Sequence, residues 1–233
     1  MSSSWVLIIL ILASSLPVVV VYIWFRIVKY QLSLNKFLFA LLAGAAAIFP
    51  ALLLQNLFEL SSVGGGRRFL FYDVFIRIAF TEELSRLLML FVFFWISGFF
   101  KPEERLNQPV TFNTVKRGTA IGLIAGLGFA ILESARIAAS TMDTGLLILR
   151  FFTAAPLHGA CGSRIGAAAV LFRSNPIQAL LRIITATAIH GVYNLMIQNP
   201  GLPLIAAVLI AFSALVTAIL TISGNPENRQ LSP

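Results

Sequence analysis

The sequence predicts an all-α integral membrane protein, a polytopic bundle of about seven transmembrane helices. Of its 233 residues, 58% are hydrophobic and 11% are charged, whereas a typical soluble domain is about 45–50% apolar and about 25% charged. Apolar runs of about 20 residues, the length that a helix needs to cross a bilayer, recur along the chain. These runs are continuous rather than alternating, which argues against a transmembrane β-barrel. We therefore expect a single transmembrane domain over residues 1–233, located in the cell membrane.

Seven apolar runs define the expected transmembrane helices. They cover residues 4–25, 37–58, 73–99, 115–140, 145–172, 178–198 and 201–222. The first is expected to stay in the membrane as a helix rather than be cleaved as a signal peptide. No basic segment precedes it, and its apolar run is too long for a signal sequence.

Basic residues are divided unevenly between the two ends of these helices. Lys and Arg follow the first, third, fifth and seventh spans, whereas the opposite side carries mainly Arg67 and Arg68. Because basic loops stay in the cytoplasm, we expect the N-terminus outside and the C-terminus in the cytoplasm. The basic residues of these loops also account for the net charge of +8. Its basic residues are scattered rather than clustered, so we expect no nucleic-acid partner.

Glycines at four-residue spacing predict close packing of the fourth and fifth spans. Gly118, Gly122 and Gly126 share one face of the fourth span, and Gly162 and Gly166 share one face of the fifth. Small residues let the backbones of membrane helices approach each other closely. We therefore expect these two helices to touch along their glycine faces.

Ionisable side chains inside the predicted spans are the candidates for function, because charged groups in hydrocarbon are costly. They lie on four spans: Glu82, Glu83 and Arg86 on the third, Glu133 on the fourth, His158 on the fifth, and His190 with Asn194 on the sixth. At a rise of about 1.5 Å per residue, Glu82, Glu133 and His190 lie about 10–14 Å below the outer surface, and His158 lies deeper. We expect them to line one cavity in the outer half of the membrane, within a catalytic core over about residues 73–198.

The residues that the sequence lacks exclude several types of hydrolase. There is no H-E-x-x-H zinc motif, no G-x-S-x-G nucleophile motif and no aspartate pair within the spans. Two chemistries remain. A buried glutamate can take a proton from water while His158, His190 or Asn194 donates to the developing oxyanion. Alternatively, His158, His190 and Glu133 are a ligand set for zinc with an open fourth position.

The two adjacent glutamates are expected to have different roles. Arg86 lies four residues after Glu82 and three after Glu83, and both spacings allow contact on a helix. The four-residue arrangement, with the acid first, is the better ion pair. We therefore expect Glu82 to pair with Arg86 and act through orientation, which leaves Glu83 less neutralised and makes it the preferred general base.

The order of these motifs resembles that of the PrsW family of intramembrane proteases. The resemblance covers about residues 75–198 and rests on Glu82-Glu83-Leu-Ser-Arg86, Phe129-Ala-Ile-Leu-Glu133, His158 and His190-Gly-Val-Tyr-Asn194. Arg86 stands where the family usually has Lys, and Asn194 stands where it usually has Asp. The family is more distantly similar to the CAAX prenyl endopeptidases and to bacteriocin-processing membrane proteins.

The resemblance implies cleavage of membrane-anchored proteins on the extracytoplasmic side, with an anti-sigma factor as the best-known kind of substrate. It favours glutamate chemistry by Glu82, Glu83, Glu133, His158, His190 and Asn194, supported by Arg86. No obligatory metal cofactor is then expected, and zinc is the alternative.

Two other functions fit the same polar spans. One is a non-proteolytic membrane protein of the same fold that binds a partner or a lipidated peptide. The other is a small proton-coupled transporter, since intramembrane Glu and His also form proton relays. The lack of a recognisable inverted repeat argues against the transporter.

Overall fold

The computed structural model describes residues 3–59, 67–99, 110–141, 144–198 and 204–224. These residues are helical with short connections, and they contain no β-strand, as the sequence predicts. In chain order the helices are α1 (Ser3–Ile27), α2 (Leu34–Ala46), α3 (Ile48–Leu57), α4 (Arg67–Tyr72), a π-helical segment (Asp73–Phe80), α5 (Thr81–Ile96), α6 (Phe112–Thr141), α7 (Thr144–Leu171), α8 (Pro176–Gln198) and α9 (Leu204–Ser223).

Four stretches of the described chain are long and apolar enough to cross a membrane. They are Leu34–Leu57, Phe112–Thr141, Pro176–Ile197 and Ile205–Ser223. Within the first stretch, α2 and α3 meet at Ala47, so the predicted span 37–58 is built from two helices. The total of seven spans and the orientation of the termini stay predictions. That the first span crosses the membrane and is not cleaved also stays a prediction. In the structure its described apolar part is the shorter helix Ser14–Ile27.

Large apolar side chains cover the outside of the bundle. On α9, Ile205 and Leu209 are 77% and 64% exposed, and on α5 Trp95 is 74% exposed. In water, an apolar surface of this extent would drive association or aggregation. In a bilayer the same side chains contact lipid hydrocarbon, while every backbone polar group is satisfied within its helix. The distribution of apolar surface is therefore that of a membrane protein.

The glycine faces of α6 and α7 form the centre of the bundle. A Cβ atom on Gly122 would lie 2.1 Å from the carbonyl oxygen of Gly162, and one on Gly166 would lie 2.1 Å from that of Gly118. These pairs run in opposite directions along the two helices, so α6 and α7 are antiparallel neighbours. The predicted close packing is confirmed. This packing fixes the register of the two helices, and the register determines which side chains near the C-terminal end of α6 face α7.

Gly122→Ala is expected to lower the stability of the protein by about 1–3 kcal/mol, because the new methyl group meets backbone that can only shift as a whole helix. Gly159→Ala on α7 is the matched control. Its Cβ would meet only the methyl ends of Leu123 and Leu127, at 3.0 and 3.4 Å, which rotate away more easily. Thermal unfolding of both variants in detergent measures the difference. Equal unfolding midpoints would contradict the assigned contact.

Candidate active site

Five of the predicted site residues meet in the interior of the bundle. Glu82 and Glu83 lie in the first turn of α5, Glu133 towards the end of α6, His158 in α7 and His190 in the second half of α8. Glu82, Glu83 and the two histidines are at most 4% exposed. The predicted convergence on one site is confirmed. Its opening toward the outer half of the membrane stays a prediction.

Glu83 and Arg86 hold the ring of His190. Oε1 of Glu83 lies 2.8 Å from Nδ1 of His190 and accepts a hydrogen bond of 2.5 Å from Nη2 of Arg86. A neutral imidazole that donates from Nδ1 to a carboxylate presents a lone pair at Nε2. The Arg86 guanidinium is itself buried and lies 4.6 Å from the centre of the Phe129 ring. In this tautomer Nε2 of His190 is an acceptor.

Arg86 pairs more closely with Glu83 than with Glu82, which reverses the expected preference. Nη2 of Arg86 lies 2.5 Å from Oε1 of Glu83 but 4.0 Å from Oε2 of Glu82. Nη1 of the guanidinium also donates to the backbone carbonyl of His158, at 3.4 Å. This contact draws it to the side of α5 that carries Glu83. Packing against α7 therefore overrides the preference for the four-residue spacing.

Glu82 is oriented from α3. Nε2 of Gln55 donates a hydrogen bond of 3.1 Å to Oε1 of Glu82. The other oxygen, Oε2, is buried without a hydrogen-bond partner among the described residues and lies 3.6 Å from Nε2 of His190. Sequence reasoning did not select Gln55. Its position beside Asn56, as one of two amides in the otherwise apolar run 37–58, is the signal that could have indicated it.

Glu133 holds the second histidine. Oε2 of Glu133 lies 2.7 Å from Nε2 of His158 and accepts a hydrogen bond of 2.5 Å from Nη2 of Arg150. The proton of a neutral His158 ring is therefore on Nε2, and Nδ1 presents a lone pair. That Nδ1 is buried and has no hydrogen-bond partner in the described part of the chain. Arg150 is a site residue that sequence reasoning did not select.

A model of the PrsW family intramembrane metalloproteases matches residues 33–221. The chain belongs to the PrsW family. Neither a curated protein nor a solved structure matches it. The match confirms the resemblance predicted from the motifs and extends it to α2, α3 and most of α9. Membership in this family supports intramembrane protease activity. Together with the four apolar helices, it indicates a hydrolase in a membrane, acting on a protein substrate.

The description of PrsW proteins as metalloproteases requires a set of metal ligands, and the site of this member provides one. Glu82, His158 and His190 each offer a ligand atom, and these atoms lie within 4.8 Å of one another. With both imidazoles neutral and each ring proton directed at a carboxylate, all three offer lone pairs. Among the described residues, Oε2 of Glu82 and Nδ1 of His158 are buried without a hydrogen-bond partner, and such unpaired acceptors are stabilised by a bound cation. The donor set therefore fits a metal ion such as zinc.

This ligand set differs from the one considered from the sequence. Glu82 takes the place of Glu133 as the carboxylate ligand. Glu133 lies outside the group and contacts Arg150 and the Nε2 atom of His158. Each histidine thus has a carboxylate on its other nitrogen, as metal-ligating histidines usually do. Asn194 is half-buried on α8. The hydrogen bonds that join the five clustered residues do not include it, and its expected catalytic role stays a prediction.

Proposed function

We propose that this PrsW protein hydrolyses peptide bonds of membrane-anchored proteins with a metal ion held by Glu82, His158 and His190. One observation carries the proposal: three buried acceptor groups converge, and each histidine is fixed in one tautomer by a carboxylate. This arrangement is expensive to bury unless a cation binds it. We therefore propose a metallopeptidase mechanism in place of the metal-free glutamate mechanism expected from the sequence.

The metal would supply Lewis acidity at the scissile carbonyl and a more nucleophilic water. The chain supplies orientation. Gln55 holds Glu82, the Glu83 carboxylate holds His190, and the Glu133 carboxylate holds His158. These contacts keep the lone pairs directed inward. Arg86 and Arg150 balance the charge of the two outer carboxylates, so both can remain ionised in the interior of the protein.

Proton transfer is assigned to Glu83. Its Oε1 is occupied by Arg86 and His190, whereas its Oε2 is buried and has no partner among the described residues. In this assignment Oε2 takes a proton from water as the water oxygen bonds to the carbonyl carbon. It then gives that proton to the amide nitrogen as the C–N bond breaks, which regenerates the carboxylate. Glu83 is also the base preferred from the sequence. The reason is now its unpaired Oε2 atom rather than weaker pairing with Arg86.

The substrate and its orientation follow from the predicted topology. With the N-terminus outside and seven spans, the site lies in the outer half of the membrane, so cleavage takes place near the extracytoplasmic side. A membrane-anchored anti-sigma factor remains the candidate substrate that the family resemblance suggests. Any single-span protein whose helix unwinds at this depth satisfies the same geometry.

A second mechanism is favoured by one distance. The gap of 3.6 Å between Oε2 of Glu82 and Nε2 of His190 is too long for a direct hydrogen bond, so a water in contact with both groups is the alternative to a metal ion there. In that mechanism Glu82 acts as the base without a metal, as a glutamic-type peptidase. Metal content decides between the two mechanisms.

The test uses the full-length protein, purified without chelators and reconstituted with a library of single-span membrane reporters tagged at both ends. We expect close to one zinc per chain by elemental mass spectrometry and new reporter termini by peptide mass spectrometry. Chelation should stop cleavage, and zinc should restore it. Cleavage that persists in zinc-free protein would establish the glutamic-type mechanism instead. Zinc binding without cleavage of any reporter would support the non-proteolytic alternative.

A further inference from the structure

A second polar cavity lies away from the Glu/His cluster, between four helices. It has a volume of about 150 Å³, and its lining includes Thr119 of α6, Ser163 and Arg164 of α7, Arg182 of α8, and Thr217 and Thr221 of α9. Two guanidinium groups and four hydroxyl groups thus surround a space inside an otherwise apolar part of the bundle. The mechanism proposed above uses none of these residues.

Arg164 brings a positive charge into this cavity, and none of the described residues that accept its hydrogen bonds is a carboxylate. Its Nη1 donates to the backbone carbonyls of Ala160 and Ala214, at 3.0 and 3.3 Å, and its Nη2 donates to Oγ1 of Thr217 at 2.8 Å. Within the described chain, all three acceptors are uncharged. A guanidinium carries five N–H donors, so two remain available. Arg164 is half-buried, and a cation partly removed from water in this way is stabilised by a bound anion.

The cavity lies toward the opposite end of the bundle from the candidate active site. Arg164 follows His158 by six residues on α7, and Arg182 precedes His190 by eight residues on the antiparallel α8. These separations correspond to about 9 and 12 Å along the helix axes. The charge pattern of the loops predicts that this end faces the cytoplasm. The cavity therefore falls at the level of the inner leaflet in the expected topology.

The cavity also reaches the lipid-facing surface. Thr217 is exposed on α9, and its neighbours Val216 and Leu220 are 50% and 63% exposed. A group attached to a lipid can therefore enter from the side, without crossing the bundle. Basic pockets between transmembrane helices on the cytoplasmic side are suited to anionic headgroups. The planar fork of a guanidinium matches two oxygens of a phosphate.

We propose that this cavity binds a phosphate group, supplied by the headgroup of an anionic phospholipid of the inner leaflet. The remaining donors of Arg164, with Arg182 across the cavity, contact the phosphate oxygens, and the acyl chains lie along the exposed face of α9. Binding links α7, α8 and α9 on the side away from the catalytic cluster. The site is independent of the proposed peptidase mechanism, because it shares no residue with it.

Thermal unfolding of the full-length protein in nanodiscs tests the site. Three conditions are compared: phosphatidylcholine alone, phosphatidylcholine with phosphatidylglycerol, and phosphatidylcholine with inorganic phosphate in the buffer. We expect phosphatidylglycerol to raise the unfolding midpoint of the wild-type protein by several degrees, since a ligand that binds only the folded state stabilises it. Arg182→Gln should lose this rise. Arg173→Gln, an exposed arginine in the turn between α7 and α8, is the matched control and should keep it.

Native mass spectrometry of protein released from the mixed nanodiscs gives a readout that does not depend on stability. We expect retained phosphatidylglycerol on wild type and on Arg173→Gln, and a several-fold lower retained fraction on Arg164→Lys, which keeps the charge but loses the fork. An equal midpoint rise with inorganic phosphate would support the site and identify free phosphate as its ligand. No rise in either condition, or an equal loss in Arg173→Gln, would overturn the proposal.

Discussion

Glu82→Gln should lose both its zinc and its peptidase activity. The substitution keeps the size of the side chain and an oxygen that can accept from Gln55, so the fold should persist. It replaces the anionic ligand of the Glu82, His158 and His190 group with a neutral amide. Because a bound metal supplies several kcal/mol to such a transition state, we expect kcat/KM to fall by about a thousandfold or more. Elemental analysis and the reporter cleavage assay measure the two losses.

Glu59→Gln provides the matched control for this result. Glu59 is an exposed residue just after α3, so the same change in charge occurs outside the cluster. It should retain wild-type zinc content and activity. A Glu82→Gln protein that keeps both would remove Glu82 from the ligand set. A variant that keeps zinc but loses activity would instead identify Glu82 as the base.

Glu83→Gln should separate proton transfer from metal binding. The amide oxygen can still accept from Arg86 or His190, but it cannot take a proton from water. We expect kcat to fall by about 10²- to 10⁴-fold even at saturating zinc. Zinc affinity should fall only by about 10- to 100-fold, because Glu83 acts on the metal through His190. Zinc titration followed by cleavage at saturating metal distinguishes the two effects.

Glu133→Gln is the companion variant in this experiment. Glu133 orients His158 as Glu83 orients His190. In the proposed mechanism, however, Glu133 does not take the proton from water. Its zinc affinity should fall by a similar factor, about 10- to 100-fold, while kcat at saturating zinc should stay close to that of wild type. Equal kcat values for the two variants at saturating zinc would contradict the assignment of Glu83 as base.

Much of the architecture could be predicted because it depends on local patterns. Long apolar runs require helices in lipid, and buried charges require partners, so Glu82, Glu133, His158 and His190 on four different runs indicated one site. The glycines of α6 and α7 predicted a contact for the same reason, since four-residue spacing places small residues on one face. None of these inferences required knowledge of how far one helix is shifted along another.

The partners within the site depended on that shift and on rotation, and they could not be predicted with the same certainty. Arg86 lies closer to Glu83 than to Glu82 because the His158 carbonyl of α7 draws its guanidinium to one side. Arg150 and Gln55 were missed because their contacts cross between helices. The antiparallel glycine contacts of α6 and α7, continued past Gly126, place Glu133 opposite the turn of α7 that contains Arg150. The Arg150–Glu133 ion pair could therefore have been predicted if the register of α6 and α7 had been known.

The π-helical segment that ends at Phe80 has a consequence for how chains of this family can differ in length. A π-helical turn holds more residues than an α-helical turn, so it can absorb an insertion without changing the rotational phase of the helix that follows. Glu82 and Glu83 come directly after it. A relative that is one residue shorter between positions 73 and 80 can form α-helical turns there and still present both glutamates at the same angles. A deletion between Glu83 and Arg86 would instead turn the arginine by about 100° relative to the glutamates. We therefore expect active relatives to differ in length between positions 73 and 80 but not between Glu83 and Arg86.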